Sequence, residues 1–289
     1  MPRITSDPNP GTPTTGSGSS HADAPDRAED LALALALADR ADAITLRRFR
    51  ATDLVVETKP DLTPVTEADR AAEASLRSYL ATTRPDDAVL GEEAGEVLGA
   101  TGDRARRWVI DPIDGTKGYA RGIPVWATLI ALEQDGVPVV GVVSAPALGA
   151  RWWAASGLGA HRDGAPIAVS GVARIEDAHL AYDSVRAFED DGRAPQFLAL
   201  ARRCWRTRGF GDFWSHVMVA DGSIDIAIEV GGLAVWDLAA PMVVVQEAGG
   251  TFTDLRGVAR ADGGDVLATN GVLHADVLAA LALDARDVS

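Results

Sequence analysis

The residues best suited to chemistry stand together in Asp111-Pro112-Ile113-Asp114-Gly115-Thr116. Its two carboxylates lie three residues apart, directly after the run Arg107-Trp108-Val109-Ile110, which predicts them at the end of a buried strand. Pro112 limits the backbone between them, Gly115 permits a sharp turn or a close backbone approach, and Thr116 adds a hydroxyl. Asp, Gly and Thr also suit a helix start, where free N–H groups favour an anion. Hard oxygen ligands beside an anion cradle point to Mg²⁺ and phosphate. On these residues alone, a Pro-bearing turn leaving a strand remains an equal alternative.

Other acids fall at similar junctions. Glu92 follows the apolar run Ala88-Val89-Leu90, Asp237 follows Leu233-Ala234-Val235-Trp236, and Asp69 opens a predicted helix. Singly, such acids serve as caps or turn residues. Gathered at one point they would need cations, because two like charges ~4 Å apart repel by about 4 kcal/mol at an effective dielectric of ~20. Spacing does not prove that they converge.

The elements that must position these acids span a chain of 289 residues, enough for one large domain or two packed lobes. Hydrophobic content of 47% and charged content of 24% are those of a soluble globular protein. The net charge of −15 argues against nucleic acid or an anionic membrane as partner, and would help a cationic substrate approach. The lone Cys204 excludes an internal disulfide or a multi-cysteine metal site. With no membrane-length apolar run and no signal pattern, a cytoplasmic location is expected.

Residues 1–25 are rich in Pro, Gly, Ser and Thr and read as a disordered tail. A first lobe, 26–174, is predicted to carry most of the acids. Its alternating Leu31–Leu37 run reads as helix because Leu and Ala are strong helix formers, with Asp30 as a possible N-cap. Thr66 and Asp69 resemble an imperfect capping box for the next helix. The Asp135-Gly136 pair predicts a hairpin, giving an antiparallel-rich α+β texture. A second lobe, 175–289, alternates strand and helix as in an α/β unit; Asp237 reads as a helix N-cap, with Pro241 near the first turn.

Three blocks in order carry a family resemblance: Gly91-Glu92-Glu93, Asp111 to Thr116, and Trp236-Asp237-Leu238-Ala239-Ala240, with Gly249-Gly250 beyond. Across residues 28 to 283 the chain resembles the inositol monophosphatase-like family of Mg²⁺-dependent phosphatases. The resemblance implies a layered αβαβα sandwich of the inositol monophosphatase / fructose-1,6-bisphosphatase type. It also implies two to three Mg²⁺ ions, held by Glu92, Asp111, the Ile113 carbonyl, Asp114 and Asp237. Thr116, paired with Asp69, would activate the attacking water, with Glu92 beside it, and the Gly115 and Thr116 N–H groups would hold phosphate. A homodimer and inhibition by Li⁺ belong to the same expectation.

Within that family the chain is most similar to the histidinol-phosphatase branch, through Arg121-Gly122-Ile123-Pro124, Arg151-Trp152-Trp153 and Arg208-Gly209-Phe210-Gly211-Asp212-Phe213. Asp212 suits the ammonium of histidinol phosphate and aromatic rings suit its imidazole. Arg208 would orient Asp212 or touch the substrate, and Glu229 matches the family's sugar-side acid. Ordinary core packing is the competing account of Trp152 and Trp153. Gly118 departs from the family's usual Asn, which leaves pocket shape open. Inositol 1-phosphate or another cyclitol phosphate is the enzyme alternative, and a catalytically silent metal- or phospholigand-binding regulator the alternative of another class.

Overall fold

The computed structural model describes residues 23–60 and 62–282. The expected tail lies outside them except at its end, because the first helix already begins at Asp23. In chain order the elements are α1 (Asp23–Arg48), β1 (Val56–Thr58), β2 (Pro64–Thr66), α2 (Glu67–Thr83), β3 (Ala88–Gly91), β4 (Gly95–Val97), β5 (Arg106–Asp114) and α3 (Thr116–Ala120). Then come β6 (Ala127–Gln134), β7 (Val137–Ala145), β8 (Ala150–Ala155), β9 (Ala160–Arg162), β10 (Ala165–Pro166), β11 (His179–Tyr182), α4 (Val185–Asp190), α5 (Ala194–Arg203) and β12 (Arg206–Gly209). The chain continues through α6 (Asp212–Ala220), β13 (Ile226–Glu229), α7 (Val235–Glu247), β14 (Thr251–Thr253), β15 (Val266–Thr269) and α8 (His274–Leu281).

Period-two burial turns these pieces into layers. An eight-stranded sheet runs β10-β9-β8-β7-β6-β5-β3-β4, with β3 and β5 its parallel pair. Trp108 and Ile110 of β5 face Leu37 of α1 and Leu76 and Leu80 of α2, while the intervening Val109 faces the opposite side. There α6 and α7 supply Val217, Leu238 and Val244, which also meet Ala181, Ala227 and Ala268 of a second sheet. That sheet has five strands, β12-β11-β13-β15-β14, with β11 parallel to both its neighbours. Its far side, Leu180, Ile226 and Leu267, packs on Phe188, Phe197 and Val277 of α4, α5 and α8. The result is helix, sheet, helix, sheet, helix.

Local chemistry explains several joints. Asp135 and Gly136 both take positive φ, 51° and 79°, so a two-residue turn pairs Gln134 with Val137 and fixes the hairpin register. A Cβ at Gly141 would stand 2.4 Å from the Ala240 carbonyl, so glycine lets α7 lie directly on β7. The Thr66–Asp69 capping box forms as predicted, with Thr66 N–H donating to Asp69 Oδ2 at 2.8 Å. Two predicted caps are corrected. Asp30 sits inside α1, where its buried carboxylate accepts from Arg106 at 2.7 and 3.1 Å. Asp237 lies in the first turn of α7 rather than at its N-cap, and accepts from the Ala234 N–H at 2.7 Å. Pro241 is consequently interior to that helix, where its missing N–H removes one helical bond.

Candidate active site

The carboxyl ends of β3 and β5 and the starts of α3, α6 and α7 converge on one cavity of about 510 Å³. At one end, oxygens of Asp111, Asp114 and Asp237 lie within 4.8 Å of one another. Each of these acids has one oxygen tied by a backbone N–H: Asp111 by Ile113 at 2.9 Å, Asp114 by Phe213 at 2.6 Å, Asp237 by Ala234 at 2.7 Å. Their charges oppose one another. Burial, then Glu92, Asp114 and Asp237, pushes the Asp111 carboxyl well above the ordinary range. Burial, then Asp212 and Asp237, does the same to Asp114. Burial raises Asp237 to about 6, against the Ala234 N–H and with Glu92 adding to the rise. Three crowded hard oxygens, mutually repelling and fixed by N–H donors, fit a hard divalent cation.

Glu92 lines the same cavity, outside the close trio. Lys59 bridges it to Glu93, with Nζ 2.7 Å from an oxygen of each. Burial works against the Lys59 charge, but these two acid partners outweigh it and raise its pKa. The Thr116 hydroxyl donates to the Ile113 carbonyl at 2.8 Å and stands 3.3 Å from Asp69 Oδ1. Asp69 Oδ2 takes the Thr66 hydroxyl at 2.5 Å, and burial raises the Asp69 pKa against those Thr66 bonds. Gly115 precedes α3 in the left-handed region at φ 83°, and its carbonyl takes the Gly118 and Tyr119 N–H groups at 2.8 and 3.0 Å.

The other end of the cavity is built from Asp183, Asp212, His216 and Glu229. Burial and then the Asp183 charge raise Asp212 to about 6, with Lys117 pulling the other way. Neither Asp183 nor Asp212 has an ion-pair or hydrogen-bond partner among the described residues. A Cβ at Gly211 would lie 2.5 Å from Asp183 Oδ1, so this glycine lets the two acid-bearing segments meet.

Of the residues expected here, Glu92, Asp114, Gly115, Thr116, Asp212, Glu229 and Asp237 line the cavity, and Asp111, Asp69 and Ile113 lie directly behind it. Arg208 does not join them. It is exposed on the edge strand β12 and donates to the Thr207 carbonyl at 2.8 Å. Trp152 is buried beside Phe213 and Trp153 stacks on His161, both away from the cavity lining. Gly118 abuts the Val125 carbonyl and does not line the cavity either. Asp183, His216 and Lys59 escaped sequence reading. Asp183 follows a strand as Glu92 does, and His216 lies four residues beyond Asp212 on one helical face; both signals were available.

Residues 26–288 match the Inositol monophosphatase family, and the chain belongs to it. Its similar proteins include Histidinol-phosphatase of Mycobacterium tuberculosis, 54% identical over 258 residues that cover 88% of this chain and 98% of that protein. Histidinol-phosphatase of Streptomyces coelicolor is 52% identical over 267 residues, covering 88% and 97%. Among solved structures, the extragenic suppressor protein suhB from Bartonella henselae superposes with a TM-score of 0.81 at 28% identity, covering 88% of this chain and 98% of that one. Among the described residues, no helix is long and apolar enough to cross a membrane.

Proposed function

We propose that this chain is a phosphomonoesterase that hydrolyses L-histidinol phosphate to L-histidinol and inorganic phosphate, a step of histidine biosynthesis. The observation that carries this reading is the pair Asp183 and Asp212, without a hydrogen-bonded or ion-paired partner among the described residues, in the same cavity as the metal-fitting trio. An ester with phosphate at one end and ammonium at the other spans such a site, and charge-assisted bonds to the ammonium are the strong kind. Inositol offers only hydroxyls, for which a pair of partnerless acids is poorly suited. A homodimer accompanies the reading on family resemblance.

Asp111, Asp114 and Asp237 would hold one Mg²⁺, and Glu92, Asp111 and the Ile113 carbonyl a second, with room in the family pattern for a third. Bound there, the ions supply Lewis-acid stabilisation of charge on the phosphoryl and leaving oxygens. The chain's own groups do the rest. N–H groups of Gly115 and Thr116 orient phosphate oxygens at the start of α3. Thr116 accepts a proton from the attacking water as its own hydroxyl proton passes to Asp69 Oδ1. Thr66 holds the other Asp69 oxygen, so Oδ1 stays aimed at Thr116. Asp212, with Asp183, holds the ammonium and so places the ester in line for attack.

Phosphate release from histidinol phosphate and inositol 1-phosphate, measured side by side with Mg²⁺, tests this. Histidinol phosphate is expected to lead by at least about tenfold in kcat/KM, about 1.4 kcal/mol of transition-state binding. A tenfold preference for inositol 1-phosphate overturns the substrate. Absence of turnover on any phosphomonoester turns the reading toward a silent regulator.

A further inference from the structure

Two polar groups at the substrate end take no part in the proton and phosphate steps above, although the family resemblance already gives Glu229 as a substrate-side acid. His216 is 1% exposed and Glu229 4%, yet both line the cavity. His216 Nε2 stands 3.5 Å from Glu229 Oε1. His216 Nδ1 and Glu229 Oε1 have no hydrogen-bond partner among the described residues. Buried polar atoms are nearly always paired, so two orphans on residues that line one cavity mark the place where a ligand completes the bonding. Neither group is an accident of a loose loop. His216 is fixed on α6 four residues past Asp212, and Glu229 ends β13 in the middle of the second sheet.

The surroundings decide which ligand group belongs there. Burial lowers the His216 pKa to about 4, which leaves its ring uncharged with one donor and one acceptor. Burial, with the Asp212 and Asp183 charges adding, raises the Glu229 carboxyl and favours its protonated, donating form. Beside it, Asp183 and Asp212 form a second station suited to a cation. The two stations therefore ask for different chemistry. One wants positive charge; the other wants an uncharged group with both a donor and an acceptor. A free imidazole, with a pKa of about 6.5, is mostly uncharged above pH 7 and carries one of each.

We propose that His216, together with Glu229, is the specificity-determining contact for an uncharged azole ring, whose N–H and bare nitrogen complete the bonds these two buried groups lack. The ammonium is left to Asp183 and Asp212. This inference rests on the histidinol-phosphate reading and deepens it, since it assigns the ring as well as the charge.

The test compares histidinol phosphate with leucinol phosphate, which keeps the ammonium and the phosphate ester but replaces the azole by a branched alkyl group. Wild-type protein with Mg²⁺ is expected to prefer histidinol phosphate by about 100-fold in kcat/KM, since a site built for hydrogen bonds rejects an analogue that leaves them unmade. His216→Phe keeps a ring and removes both nitrogens; it should cut that preference below about tenfold, with the change carried by KM for histidinol phosphate rather than by kcat. His216→Asn, which retains a donor and an acceptor, should recover part of it. If His216→Phe does not fold, His216→Leu replaces it and the same ratio is read. A preference unchanged in the folded variants, whatever happens to the overall rates, overturns the assignment of His216. Wild-type protein that turns over inositol 1-phosphate but not histidinol phosphate overturns the substrate reading itself, and this inference with it.

Discussion

The two ends of the cavity treat their acids in opposite ways. At the metal end, Asp111, Asp114 and Asp237 each rest one oxygen on a backbone N–H, at 2.6 to 2.9 Å, and turn their charges on one another. At the substrate end, Asp183, Asp212 and Glu229 have no such tethers, and burial with mutual repulsion raises Asp212 and Glu229. The difference separates two kinds of preparation. Backbone donors fix geometry before any cation arrives, which suits an ion that demands near-ideal ligand placement. Unpaired buried groups instead store a desolvation cost that only the correct ligand relieves, which is a source of discrimination.

The largest effect should come from the metal end. Asp111→Asn keeps the shape and the Ile113 contact but removes the carboxylate on which Glu92, Asp114 and Asp237 all press. Turnover of all phosphate esters is expected to fall by more than about 10³-fold, equivalent to about 4 kcal/mol of transition-state stabilisation. In the absence of Mg²⁺ the same variant should melt at a higher temperature than wild type, because it relieves repulsion. Its melting temperature should no longer rise with added Mg²⁺. A variant that retains turnover breaks the contrast between the two ends.

Next in size is a pH effect of the same origin. Asp111 and Asp114 are raised well above 3.8, and Asp237 and Asp212 are raised to about 6. A carboxyl raised on folding binds protons more tightly in the native state, so its contribution is full below about pH 4 and is lost as pH climbs through the folded value. The metal-free protein should therefore lose stability from about pH 4 through pH 6 and above, unlike the usual acid-labile protein. Saturating Mg²⁺ should flatten that fall. Thermal melts across pH with and without Mg²⁺ check it, and equal slopes would contradict it.

At the substrate end, Asp212→Asn should raise KM for histidinol phosphate by about 10- to 100-fold, the range for a lost charged hydrogen bond, while kcat changes far less. An equal loss in kcat would instead tie Asp212 to the metal end, where its charge already reaches Asp114.

The same contrast accounts for what was readable from sequence. Glu92, Asp111, Asp114 and Asp237 announce themselves because each sits at a strand end or helix start. The tethers of Asp111 and Asp237 also come from residues two and three positions away. The tether of Asp114 comes from Phe213, 99 residues along, and no local pattern discloses it. Asp183 and His216 carry weak local signals and become meaningful only when β11, α6 and β13 meet. Arg208 misled by nearness: it is four residues from Asp212, yet the strand that carries it lies at a sheet edge. Hairpins and helices followed from turn residues and propensity. The five layers came from family resemblance, because sheet-to-sheet packing joins residues far apart in the chain.

The smallest effect tests the proton path from Thr116 to Asp69, behind the metal end. Thr66→Ala removes the hydroxyl that accepts from the Ala68 N–H at 3.1 Å and donates to Asp69 Oδ2 at 2.5 Å. Losing this cap should cost about 1 kcal/mol of stability. The same hydroxyl opposes the burial that raises Asp69, so its removal should raise that pKa further. If Asp69 receives the proton from Thr116, the acidic limb of the pH–rate profile must shift upward in Thr66→Ala, with turnover at pH 8 reduced by less than about tenfold. An acidic limb that stays in place while the melting temperature falls would leave Thr66 a helix cap alone and remove Asp69 from the path. The Thr66 Oγ1–Asp69 Oδ2 contact is thus where this test separates capping α2 from the proposed aiming of Asp69 at Thr116.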